Sequence, residues 1–280
     1  MIDWLTDPFT FGATARALIE IAILGTVGGA VGCWVILYRV SYSAESLAHG
    51  LFPGLVGAAL LGLPILLGGA VGIIVAALLI AVVNRFAGDD ADTAIAVVVT
   101  SLFGLGVLMA LSPESPPGVS ELLFGDLLGT TSTEILVSAA ITIPVLAVLW
   151  LLHSRLLAIG FDQGAGSALG ISPGLMTALV LCLVAVTVLV GVQSLGNLLV
   201  AAILVGPAAA ARLLTDRFKV MVGLSIGLAL LAGVAGIYVS YHARIAAGAA
   251  VVGCLIVIYL LAAAASAIAD RSPRRASLNP

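Results

Sequence analysis

The chain has 280 residues, of which 62% are apolar and 9% charged, with a mean hydropathy of +1.26 and a formal net charge of −3. A soluble domain of this length carries roughly a quarter charged residues, so lipid, not water, must be the solvent for most of this surface. A single lysine, Lys219, and no basic run exclude an electrostatic footprint for nucleic acid.

A bilayer core needs about 20 apolar residues per helix. Runs of that kind fall near 14–38, 44–62, 64–84, 93–112, 134–152, 174–192, 196–214, 220–240 and 246–268. The expected fold is therefore an all-α, polytopic membrane bundle of about nine helices, forming a single domain over 1–280. Polar residues and a proline interrupt 44–62 and 196–214, so eight crossings is the alternative count. The flanks are an N-terminal segment, 1–13, and a C-terminal tail, 270–280. The N-terminus carries Asp3 and Asp7 and lacks the basic n-region of a cleavable signal peptide.

The basic residues orient these spans. With nine alternating crossings, Arg39, Arg85, Arg155, Arg212, Arg217, Lys219, Arg271, Arg274 and Arg275 share one side. Only Arg16 and Arg244 fall on the other. The positive-inside rule puts the C-terminus in the cytoplasm and the N-terminus outside. Glycines one turn apart (Gly25/Gly29, Gly28/Gly32, Gly68/Gly72) predict close helix–helix approach in lipid. Cys33, Cys182 and Cys254 match no zinc or redox spacing and read as small apolar residues.

Two segments between spans carry unusual composition. Ser112–Gly118 is a proline-rich external turn leading into a short interfacial helix around Glu121–Asp126. On the opposite side, 159–171 is too short and polar to span, yet too apolar for an idle linker.

The chemistry concentrates in Tyr38–Gly54. Glu45 and His49, four residues apart, share one face of a helix. A carboxylate and an imidazole so placed form half of a site for a borderline divalent cation such as Zn²⁺ or Mn²⁺. Ionisable groups inside a membrane are costly and usually face a cavity, a partner or a permeating ion. A hydrogen-bonded pair joining two helices is the plainer alternative. Glu20, in the first span, suits a structural contact or a place in the site. His153 and His242 read as interfacial residues. No P-loop and no His-Glu-x-x-His motif is present, so ATP hydrolysis by the P-loop route and zinc peptidase chemistry of that type are excluded. No catalytic residues are assigned.

Arg39, Ser41, Glu45, His49, Pro53 and Gly54 together resemble the signature of permease subunits of metal-chelate ABC importers, the zinc and manganese uptake group. Further blocks resemble that family in the same order. Leu123–Leu128 resembles its outer-loop motif. Phe161, Asp162, Ala165, Ala168, Gly170 and Ile171 resemble the cytoplasmic segment that couples to the ATPase. Gln193–Val200 and Pro207–Leu214 resemble its penultimate region. The resemblance spans about residues 10–268.

It implies a type II-like importer permease in a prokaryotic inner membrane, without a nucleotide site or a permanently bound cofactor. The implied partners are a cytoplasmic ABC ATPase, an external or periplasmic metal-binding protein and a second permease copy. Glu45 and His49 would line the path of transported Zn²⁺ or Mn²⁺, and Glu114, Glu121 and Asp126 would help receive the binding protein. The family's acidic position is more often aspartate, and the longer Glu45 leaves zinc and manganese both open. Two other functions fit parts of the pattern. One is an ion-coupled secondary transporter with Glu45 as proton relay; the other is an intramembrane hydrolase pairing Ser46 with His49.

Overall fold

The computed structural model describes residues 12–87, 91–116, 118–119, 121–168 and 170–270. The expected flanks 1–13 and 270–280, with Arg271, Arg274 and Arg275, therefore lie almost wholly outside the described residues. Among the described residues all regular structure is helical. The helices are α1 Gly12–Tyr38, α2 Ser41–Gly50, α3 Phe52–Leu60, α4 Ile65–Ala87 and α5 Ala91–Ala110. They continue with α6 Glu121–Phe124, α7 Ser132–Leu151, α8 His153–Phe161 and α9 Gln163–Ala168. The last four are α10 Pro173–Leu195, α11 Asn197–Leu214, α12 Phe218–Ala243 and α13 Ala247–Asp270. In hydrocarbon every backbone polar group must be paired within the segment, which helices achieve and open strands do not.

Seven of these helices (α1, α4, α5, α7, α10, α12 and α13) are long and apolar enough to cross a membrane alone. The two interrupted runs form shorter helices. α11 is an 18-residue helix containing Pro207, with an apolar stretch over Leu199–Leu214. The 44–62 run is divided into two short helices, α2 and α3. Pro53 has no N–H to give the His49 carbonyl four residues back, so the ladder is interrupted and restarts around Leu51.

α1 is the most enclosed of the long helices, whereas α4 and α13 are buried over only a small part of their length. Its glycines set the packing. A Cβ on Gly32 would overlap the Leu204 carbonyl of α11, and one on Gly29 would press on the Ile226 backbone of α12. Gly68 and Gly72 likewise let α4 lie against Gly54 and Leu51. Glu20, wholly buried in α1, accepts hydrogen bonds from Ser138 Oγ of α7 (2.6 Å) and Ser194 Oγ of α10 (2.9 Å). It thus ties three helices together, and its partners are not Glu45 or His49.

The two ends of the bundle differ in charge. Arg39, Arg212 and Phe161 line one hollow, and Lys219 and His153 line another at the same, basic end. At the far end the turn around Gly62 meets Pro116–Glu134 and the α10–α11 junction. Arg16 Nε donates to the Thr130 carbonyl there (2.9 Å). Arg39, Arg212 and Lys219 thus share one end, as expected, and Arg16 lies at the other. Cys33 is buried, Cys254 partly buried and Cys182 exposed, all three as free thiols.

Candidate functional site

α2 reaches the site from the basic end. α1 stops in a Schellman turn, in which Val40 N–H donates to the Val35 carbonyl (3.0 Å) and Arg39 N–H to that of Ile36 (3.1 Å). Arg39 occupies the left-handed position of this turn, φ 58°, where glycine is usual. The chain re-enters helix at Ser41, and α2 carries Glu45 and His49 up to the break at Leu51.

Ser41, Tyr42, Glu45 and His49 form one wall of a cleft of about 510 Å³, and Ala201, Ala202, Leu204 and Val205 of α11 form the other. The Glu45 side chain is 58% exposed and that of His49 23%. His49 Nε2 stands 3.8 Å from Glu45 Oε1. That is too long for a hydrogen bond, and both residues belong to one helix, so they are not a pair stapling two helices. Two such atoms can each lie about 2.1 Å from a single cation placed between them.

The other face of the imidazole is held from two sides. Phe103 of α5 lies at a ring-centroid distance of 4.9 Å. The Asn197 side-chain amide is 3.4 Å from His49 Nδ1. Asn197 is wholly buried at the first turn of α11, and its Oδ1 has no hydrogen-bond partner. Half a turn of that amide puts Oδ1 opposite a protonated Nδ1. As placed, Nδ2 is the atom nearest Nδ1; turned, the amide accepts from Nδ1, leaves the Nε2 lone pair facing Glu45 and moves its NH2 to the place the orphan oxygen held. The sequence reading places Asn197 inside a family block without giving it a role; only its approach to His49 reveals one.

Gly196 delivers Asn197 to this position. With φ 76° and ψ 161°, it ends α10 and begins α11 in one residue, a conformation open essentially only to glycine. Gly125, φ 76°, packs so closely on Leu195 and Gly196 that a Cβ there would strike backbone. The Leu123–Leu128 and Gln193–Val200 blocks therefore form one buttress at the far end of the cleft. Ser46 is buried with its Oγ unpartnered, so it is not hydrogen-bonded to His49 as a hydrolase would require.

The chain belongs to the ABC 3 transport family. Its family profile matches residues 10–266. A manganese import system permease protein of Streptococcus gordonii is 29% identical over 246 residues, 88% of each chain. A manganese transport system membrane protein of Listeria monocytogenes is 30% identical over 247 residues, again 88% of each. Among solved structures, a chain of PsaBC from Streptococcus pneumoniae, in complex with Fab, superposes with a TM-score of 0.84. The identity is 28%, covering 94% of this chain and 95% of that one. The resemblance read from the Arg39–Gly54 block and its three companions thus holds at the level of family and of fold.

The remaining predicted residues fall into two groups, one at each end. At the basic end, Phe161 closes α8 with its ring 68% exposed, and Asp162 Oδ1 accepts from Gly164 N–H (2.8 Å) to start α9. Gly170, φ 75°, ends α9 in a second Schellman turn, with Ile171 N–H bonded to the Gly166 carbonyl (3.1 Å). Ala168 is exposed on α9, and the Ala165 side chain lies outside the described residues. This segment is fastened to α1, because Tyr38 Oη donates to the Leu156 carbonyl (2.9 Å). At the far end Glu114 is exposed, and Asp126 Oδ1 accepts from Gly129 N–H (3.0 Å) while lining a cavity of about 500 Å³. The Glu121 side chain lies outside the described residues.

Proposed function

We propose that this chain is the membrane permease of an ATP-driven importer of a divalent transition metal, with Glu45 and His49 contacting the ion in transit. The observation that carries the reading is the Glu45–His49 pair, 3.8 Å apart on one wall of an open cleft, just before the α2–α3 break. The relatives' names, which specify manganese, and in Yersinia pestis chelated iron, support a transition-metal cargo. Mixed oxygen and imidazole ligation suits manganese and zinc alike.

A second copy of the chain completes the path. Within a crossing, a carboxylate 58% exposed on the bundle surface would be expensive against lipid. Among the described residues no third carboxylate, imidazole or thiol joins Glu45 and His49. A two-fold partner facing the α2–α11 cleft removes Glu45 from lipid and doubles the ligand set to two carboxylates and two imidazoles. Few ligands, at a break in the helix, suit a site that must release its ion.

The positive-inside rule sets the basic end in the cytoplasm of a prokaryotic cell, with the chain as one permease domain, its C-terminus cytoplasmic and its N-terminus external. There the exposed Phe161 ring, with α9 and the Gly170–Ile171 turn, receives the ATPase that hydrolyses ATP. The Tyr38–Leu156 bond supports a coupling route, since movement of α8 acts on the end of α1 and so on Arg39 and α2. The far face, with Glu114, Glu121 and Asp126, receives a metal-loaded binding protein.

The test is ATP-dependent uptake of zinc and manganese, offered separately, into proteoliposomes holding the permease with its ATPase and binding protein. Uptake of one metal by the parent, lost in Glu45→Ala and in His49→Ala with assembly intact, is the expected result. Undiminished uptake in either variant would remove that residue from the path.

A further inference from the structure

A further hollow, apart from the Glu45–His49 cleft, opens on the side of the bundle. α7 and α12 each pack along α1 far more closely than on one another. Between them lies a groove of about 490 Å³ with α1 as its floor. Thr26, Ala30 and Trp34 succeed one another along that floor at one-turn spacing, while Leu149 and Val222 stand on the two walls. From Thr26 to Trp34 the helix rises about 12 Å, most of the depth of one leaflet in a core about 30 Å thick.

The groove changes character at the basic end, where His153 and Lys219 line it. The His153 ring stands edge-on to Trp34 (5.5 Å between centroids, 83°), and Phe218 packs on Trp34 at 4.5 Å. Among the described residues the imidazole is thus positioned by aromatic contacts. Lys219 is exposed beside Arg217 and forms no ion pair among the described residues. An apolar channel of one-leaflet length ending in a lysine that pairs with no carboxylate among the described residues is complementary to a lipid with a negative head.

We propose that this groove binds a single anionic phospholipid from the leaflet at the basic end. One acyl chain lies over Ala30 between α7 and α12. The headgroup phosphate meets the Lys219 ammonium, with His153 as a second donor. A zwitterionic lipid fits the channel equally well but brings its own ammonium to a headgroup region already holding Lys219, the one lysine or arginine that lines the groove among the described residues. The selectivity therefore arises from charge rather than from the apolar floor.

Native mass spectrometry of the full chain in detergent tests this, with phosphatidylglycerol and phosphatidylcholine of identical acyl chains offered in equal amounts. The parent should retain phosphatidylglycerol about fivefold over phosphatidylcholine, as one basic residue at headgroup depth provides. Lys219→Gln combined with His153→Gln should bring that ratio to about one while leaving the phosphatidylcholine adduct unchanged. Ala30→Trp, which fills the floor, should reduce both adducts. Equal retention of the two lipids by the parent overturns the proposal. So does a preference that survives Lys219→Gln/His153→Gln, or a parent dimer whose second copy seals the groove and excludes lipid.

Discussion

The Asn197 amide meets His49 Nδ1 at 3.4 Å, bridging two residues 148 positions apart in sequence. It joins the half-helix α2 to the first turn of α11, so the imidazole is aimed by one side of the cleft while it faces the other. Partners on the remote nitrogen of a metal-binding histidine fix its tautomer, and their loss typically weakens metal affinity about 10–100-fold. Asn197→Ala should therefore raise the metal KM for uptake by about that factor with assembly unaltered. Asn197→Asp, which keeps an acceptor opposite Nδ1, should recover most of the loss. An unchanged KM in Asn197→Ala would show that His49 needs no such support.

Gly196 holds the backbone conformation that makes this approach possible. Placing alanine at φ 76° and ψ 161° strains the α10–α11 junction by about 1–3 kcal/mol. Gly196→Ala should lower the thermal midpoint in detergent and, in the fraction that folds, raise the metal KM as Asn197→Ala does. A midpoint equal to the parent's would mean that the junction relaxes without cost.

Glu20 predicts the opposite pattern, a loss of stability without a loss of transport. Removing it by Glu20→Ala strands the Ser138 and Ser194 hydroxyls in the interior, at a cost of about 1–3 kcal/mol. Glu20→Gln keeps an acceptor oxygen and should cost less than about 1 kcal/mol. In thermal unfolding, Ser138→Ala should cost less in the Glu20→Ala background than in the parent, because the bond is already absent. Uptake per folded permease should stay at the parental level. A well-folded Glu20→Gln permease that cannot transport would move Glu20 from structure to mechanism.

Phe161 presents an exposed ring at the basic end, beside a hollow of about 350 Å³ that it lines with Arg39 and Arg212. Aromatic anchors of this kind carry about 2 kcal/mol or more at an interface, roughly a thirty-fold change in Kd. Phe161→Ala should weaken ATPase binding to that extent in a titration of purified subunits, and Phe161→Trp should largely preserve it. Equal affinities for parent and Phe161→Ala would place the docking contact elsewhere.

Much of this protein was legible from its sequence because the governing forces act over short stretches. An apolar run near 20 residues is helical and buried in lipid whatever surrounds it, so most spans fall within a few residues of their expected limits. The i, i+4 spacing of Glu45 and His49 is likewise a property of one helix, and it placed both on one face in advance. Tertiary structure decided what no single segment contains. The packing of the α2–α3 break depends on α4 glycines that leave room for Leu51 and Gly54. Glu20 is structural because Ser138 and Ser194 arrive from two other helices. Asn197 becomes a partner of His49 only when Gly196 turns the chain and α11 is laid beside α2. Hydropathy is a sum over neighbours in sequence, whereas a hydrogen bond between distant residues depends on how the helices pack.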